Sequence, residues 1–380
     1  MVAVEPASLA VLCCAKTGDR TAAAWQTVLT PFTQLEYVNS DAGGGIAAGV
    51  RAVAAARTEA ARTEAARTEA ARTETPTATA TAPGTVVPLY HGLDVFHTGM
   101  EAQQVLRRYW RRAEAAFVKG EKADVALREA RQHGRTTPKL IGSASQYWRR
   151  AKKALHLAAQ VEAAWQRIRA ALAIFCSDGS LNDRARAEAE IATALDELPG
   201  AEWRKTRTFL KDPRTLTFLD LLHKRLAKAV PDERLRQACL RRWWLRRQGS
   251  KTTRAADTPH GPMLQLLDAV VRDGALTVRE QHAYQRVCAV LAATVRASSA
   301  VEGINSILRM QQCRHRRTSQ GLLDLKRLYW NCRTLPTGRR RGRSPYAMLG
   351  VRLPSTDFWN LLKTPPQELK QRLSNSGLPG

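Results

Sequence analysis

From Gly99 to about Val295 the chain shows little except helical periodicity, and no all-β or simple α/β fold accommodates a block of that size. Segments at roughly 100–132, 143–176, 183–198, 201–211, 215–229, 231–248, 261–273 and 276–297 each place apolar residues on one face. The string YWRRA occurs twice, at Tyr109–Ala113 and Tyr147–Ala151, and AAWQRIRAAL follows at 163–172. Aromatic and aliphatic residues at this spacing serve as core anchors. The arginines then fall on the outer faces, where they are solvated or line a channel of phosphate contacts.

The N-terminal part reads differently. Residues 2–5 and 8–15 are short β-rich runs broken by Pro6, and Thr21 to Phe32 sets Trp25, Val28, Leu29 and Phe32 on one helical face. Leu35–Asn39 is a third strand, ending in Ser40-Asp41-Ala42-Gly43-Gly44-Gly45. Strand, helix, strand implies an α/β layer, and an acidic residue after such a strand sits where open sheets place ligands. An Asp before glycines is equally a turn or helix cap. Residues 57–74 repeat RTEAA; successive units rotate by about 140° on a helix, so no apolar face forms and a solvated, partly helical insert is expected. Each Glu can pair with the Arg three residues on, Glu59 with Arg62. Val86–His97 returns to strand character and ends in Asp94 and His97, which are candidate site residues or, respectively, a helix cap and a core histidine.

Charge narrows the function. The 380 residues carry 60 Lys and Arg against 34 Asp and Glu, a net +26, which implies a polyanionic partner, nucleic acid first. The excess concentrates around Trp243 and Trp244 and again between Arg314 and Arg343. Seven cysteines without a CxxC pair and scattered histidines suggest neither a zinc site nor disulfides, as expected of a cytoplasmic protein. No apolar run is of membrane-spanning length, and Glu5 and Pro6 stand where a signal peptide needs positive charge.

Val295–Arg309, VRASSAVEGINSILR, opens another amphipathic helix with Val301, Ile304 and Leu308 as its apolar stripe. Glu302, Asn305 and Arg309 share the neighbouring face. Glu302 either completes a capping box with Ser299 or is a metal-binding carboxylate. Further on, Gly321–Arg333 is read with Leu322, Leu325, Leu328 and Tyr329 inward, and Phe358 and Trp359 as packed residues.

Together these strings resemble the C-terminal part of DDE transposases of bacterial insertion elements: Glu302 opening a helix, Tyr329-Trp330-Asn331, then a basic segment into Ser344-Pro345 and Leu349-Gly350. VNSDAGGGI resembles the family's strand bearing the second carboxylate, Asp41, and HGLDVFH the strand segment after it. The resemblance implies a ribonuclease-H-like mixed sheet, lacking its first strand, interrupted by a large all-α insertion. It implies core at 1–53, the repeat insert at 54–85, a core strand at 86–98, helical insertion at 99–295, core with the Glu helix at 296–363, and a tail at 364–380.

It further implies Asp41 and Glu302 as catalytic and metal ligands for two Mg²⁺ (or Mn²⁺) ions about 3.5–4 Å apart, cleaving and transferring DNA strands. Arg309, Arg314, Arg316, Arg317, Arg339, Arg340, Arg341 and Arg343 would contact DNA. The partners would be insertion-element ends and target DNA, with a homodimer pairing the ends, in the bacterial nucleoid. The first catalytic Asp of the family has no counterpart here, so the reading is of a truncated, catalytically impaired chain that binds DNA. The rival expectation is a non-catalytic, basic helical DNA-binding protein in which Glu302 only caps its helix.

Overall fold

Helices dominate the computed structural model, which describes residues 1–74, 87–135, 137–248, 261–296, 299–314, 318–351, 353–355 and 357–374; its α/β content is two small sheets. The chain forms two units, one of Met1–Leu93 with Val295–Gly380 and one of Asp94–Thr294.

The first unit begins with β1 (Val2–Glu5) and β2 (Ala10–Cys14), an antiparallel pair. The turn between them is closed by the Glu5 carboxylate, which accepts the N–H groups of Ala7 and Ser8 at 2.9 and 2.6 Å. Leu9 takes the left-handed conformation to re-enter the strand, at φ 64°. Next come α1 (Ala22–Leu29), β3 (Tyr37–Ser40), α2 (Gly44–Glu74) and β4 (Tyr90–Leu93), with β4 parallel to β3. Of the two roles open to an Asp before glycines, a turn or a helix cap, a helix follows: the glycines start α2 and let it cross α1 closely. A Cβ on Gly45 would lie 1.8 Å from the Arg20 carbonyl oxygen, and one on Gly49 would lie 2.6 Å from the Trp25 Cβ. Leu29, Ile46, Val50 and Val53 fill that crossing, with Val38 of β3 against them.

α2 runs unbroken into the RTEAA repeat. Its first arginine is not merely solvated: Arg57 donates to the Leu35 carbonyl at 2.7 Å and also to those of Phe32 and Val87. Arg62, one repeat on, is exposed and lies 3.8 Å from Glu59.

The described part of the second unit is mainly helical, with one isolated β-bridge between Phe175 and Leu181: α3 (Val95–Gln132), α4 (Pro138–Ala171), α5 (Arg184–Asp196), α6 (Arg204–Leu210), α7 (Thr217–Ala229), α8 (Glu233–Gln248), α9 (Gly261–Asp273) and α10 (Val278–Ala293). The expected helical segments all have their counterpart. α3 starts earlier than expected because Asp94 caps it, accepting the Phe96 N–H at 2.8 Å, so Val95–His97 is helix rather than strand. α3 and α4 form a hairpin stitched by the two repeat tryptophans: Trp110 Nε1 donates to Glu162 at 3.0 Å and Trp148 Nε1 to Asp124 at 2.7 Å. Trp165 and Trp203 lie buried with ring centroids 6.2 Å apart, and Tyr109 stacks on Trp203. Leu222, Leu226, Leu240, Val287 and Leu291 form a second cluster from α7, α8 and α10.

The first unit resumes with α11 (Ser299–Arg314), α12 (Gln320–Cys332), α13 (Pro345–Met348), α14 (Phe358–Lys363) and α15 (Pro366–Ser374). Ile304 of α11 and Leu323 of α12 cover Val11 and Cys14. The inward face of α12 differs from the expectation: Leu323, Asn331 and Cys332 are buried, whereas Leu325 and Tyr329 are exposed. Tyr329 turns instead to Phe358, with centroids 5.3 Å apart, and Trp359 is exposed rather than packed.

Candidate nucleic-acid interface and carboxylates

α12 lies along β2 because three polar side chains at near-heptad spacing meet the backbone of that strand's outer edge. Asn331 accepts the Val11 N–H at 2.8 Å and donates to the Val11 carbonyl at 3.0 Å. Gln320 does the same for Lys16 N–H and Cys14 carbonyl, at 2.8 and 2.9 Å, and Arg327 donates to the Leu12 carbonyl. A β-edge left to solvent invites pairing with another strand, and here that edge is covered. β1 and β3, by contrast, each have one hydrogen-bonded neighbour among the described residues.

α11 packs on β1 and carries Glu302 in its first turn, half-exposed. Asp41 directly follows β3, is exposed, and its Oδ1 accepts the Gly43 N–H at 3.3 Å, the turn-capping role open to an Asp before glycines. The two carboxylates thus belong to elements of different apolar clusters, Glu302 with the β1–β2 hairpin and Asp41 with the α1–α2 crossing. Among the described residues no group of three His, Cys, Asp or Glu side chains could hold a metal ion. Two divalent ions require more hard oxygen donors than this pair offers, so the residues present do not make that centre. Asp94 is fully buried as the α3 cap, with its Oδ2 3.5 Å from His97 Nε2.

The cations divide more sharply. Arg340 is spent internally, donating to the Pro6 and Ala7 carbonyls of the hairpin turn at 2.7 Å each. Gly338 and Gly342, at φ 75° and 76°, fold the loop back so that Arg343 and Leu335 pair through their backbones. Arg341 and Arg343 are left exposed, as are Arg309 on α11 and Arg333 at the end of α12. None of these four has a carboxylate within ion-pair distance among the described residues. Arg316 and Arg317 lie outside the described residues, as do the side chains of Arg314 and Arg339. Sequence reasoning placed Arg340 with the others because six consecutive positions of that loop give no register. It missed Arg333 and the three edge-covering residues of α12.

Beside this surface β2, α11 and α12 enclose an apolar cleft of about 260 Å³, lined by Ile304, Ile307, Leu308 and Trp330 with Lys326 and Arg333 at its rim. Burial raises the thiols of Cys13 and Cys14, and that of Cys332 to about 11, so none is a thiolate nucleophile at neutral pH. Among the described residues no helix is long and apolar enough to cross a membrane. Comparison with protein-family models, with characterised proteins and with solved structures finds no match to this chain.

Proposed function

We propose that the chain is a DNA-binding protein of the DDE-transposase type, acting on insertion-element ends and target DNA. The observation that carries the reading is the set of exposed arginines without carboxylate partners among the described residues, Arg309, Arg333, Arg341 and Arg343, in a chain of net charge +26. The antiparallel pair β1–β2 and the parallel pair β3–β4 support the core assignment. A further strand, not among the described residues, would join their open edges into one five-stranded sheet and bring the missing first carboxylate. Asp41 and Glu302 would be the other two, holding Mg²⁺ or Mn²⁺ once the centre is complete. On this reading the chain binds DNA without cutting it.

Titrating a labelled duplex with the chain at several salt concentrations tests this. Arg341→Ala with Arg343→Ala should flatten the dependence of log K on log salt by about 0.9 per lost phosphate contact. Salt-independent binding, or none, would refute the proposal. Mg²⁺-dependent nicking abolished by Glu302→Ala would refute its non-catalytic part. A second reading, a helical DNA-binding protein with no transposase ancestry, is favoured by the turn-capping geometry of Asp41. The two separate if, with a strand bearing the first carboxylate supplied, Asp41→Asn and Glu302→Gln together weaken divalent-cation binding, which only the first predicts.

A further inference from the structure

α4 carries a cationic stripe that forms no ion pair among the described residues. Arg149, Arg150, Lys152, Lys153 and His156 are all exposed, and no acidic residue occurs between Pro138 and Val161. At 3.6 residues per turn these five span an arc of about 160°, centred opposite the buried Ala144, Ala151 and Ala158. The first acid after them, Glu162, is bound by the Trp110 indole, and Asp124 across the hairpin is bound by the Trp148 indole. α3 adds Lys119 and Lys122, with Glu121 between them.

Elsewhere in this unit arginines commonly hold carboxylates: Arg112 with Glu202, Arg167 with Glu190 and Glu197, Arg184 with Asp220, Arg241 with Asp268. The stripe forms no such pair among the described residues. Like charges four residues apart, such as Arg149 with Lys153, repel on a helix, and among the described residues no carboxylate lies within ion-pair distance of either.

We propose that this face of α4 binds the phosphate backbone of duplex DNA without reading sequence, which rests on the DNA-binding reading above. Arg149 to His156 cover about 10 Å of helix axis, room for about three phosphates of one strand. The stripe contains no Trp, Tyr or Phe on which a run of bases could stack, since Trp148 is turned to Asp124 and His156 is its single ring, and this favours duplex over single-stranded nucleic acid.

The test is salt-dependent anisotropy of the full chain on a random-sequence duplex. A variant with Arg149→Gln, Arg150→Gln, Lys152→Gln and Lys153→Gln should lose about three from the log–log slope and at least tenfold in affinity, on every duplex sequence alike. Charge-keeping swaps, Arg149→Lys with Lys153→Arg, should retain binding, and the helical circular dichroism of both variants should match the unaltered chain. An unchanged slope in the glutamine variant, while Arg341→Ala with Arg343→Ala lowers it, overturns this proposal alone. So does an RNA duplex competing at lower concentration than the matched DNA. Failure of the unaltered chain to bind any duplex overturns the parent reading and this proposal together.

Discussion

The side-chain amide of Asn331 closes on both the N–H and the carbonyl of Val11, two residues 320 positions apart. It does for the outer edge of β2 what a neighbouring strand would do. Both partners are buried, so removing the amide leaves two backbone groups without hydrogen bonds. Asn331→Ala should destabilise the first unit by about 1–3 kcal/mol. Urea denaturation checks this, and a change below the error of the midpoint would show that the edge is satisfied in another way.

The α1–α2 crossing depends on missing side chains. Gly45→Ala puts a methyl against the Arg20 carbonyl and should cost about 1–3 kcal/mol. Gly303, in α11, has open space around its would-be Cβ, and Gly303→Ala should raise stability by about 1 kcal/mol through helix propensity. Melting temperatures of the two variants should therefore move in opposite directions.

Around Tyr109 the stability should depend on pH at both ends. The Arg112 guanidinium, and then the Tyr109 hydroxyl, hold the Glu202 carboxyl below its ordinary value against the opposing effect of burial. A depressed carboxylate stabilises the fold above the unfolded pKa of about 4.3, and that contribution disappears as the pH falls through the folded value. Burial, followed by the Glu202 hydrogen bond, raises the Tyr109 hydroxyl, so stability should also fall as the pH rises beyond about 10. Because Arg112 is largely exposed, the acid arm should be worth under about 1 kcal/mol. Glu202→Gln should flatten the acid arm of a stability–pH curve; an acid arm as steep in the variant would assign it to other carboxylates.

Neighbouring arginines should separate stability from binding. Arg340→Ala removes two charge-assisted hydrogen bonds to the β1–β2 turn and should cost about 1–3 kcal/mol with little change in salt slope. Arg343→Ala should leave the melting temperature alone and lower the slope. Equal behaviour of the two would contradict the division.

Much of the architecture was legible because helical periodicity is a strong signal over long segments, and α3 to α10 were each anticipated. What escaped was tertiary. Nothing in the pattern distinguishes Leu323 from Leu322 as the buried leucine of α12, since apolar residues occur on both sides of that helix. The three polar residues facing β2 set its rotation, and their partners lie some three hundred positions away. The residues after Asp41 left a turn and a helix start equally open, because local propensity does not separate them; the close approach of α1 goes with the helix. Of the site, the sequence located the cations, whereas the split between Arg340 and Arg341 depends on a loop fold that composition does not encode.

Arg57 gives the RTEAA helix a fixed base, and that base permits change farther out. Arg57 belongs to the first repeat and holds the carbonyls of Phe32, Leu35 and Val87, while Arg62 and Arg67 face solvent. Gaining or losing one five-residue unit beyond Arg57 lengthens or shortens the rod by about 7.5 Å and turns its tip by about 140°. The α1–α2 crossing does not register the difference. A replication error in this repetitive stretch therefore produces alleles that differ in the reach of one arm and share an unaltered fold.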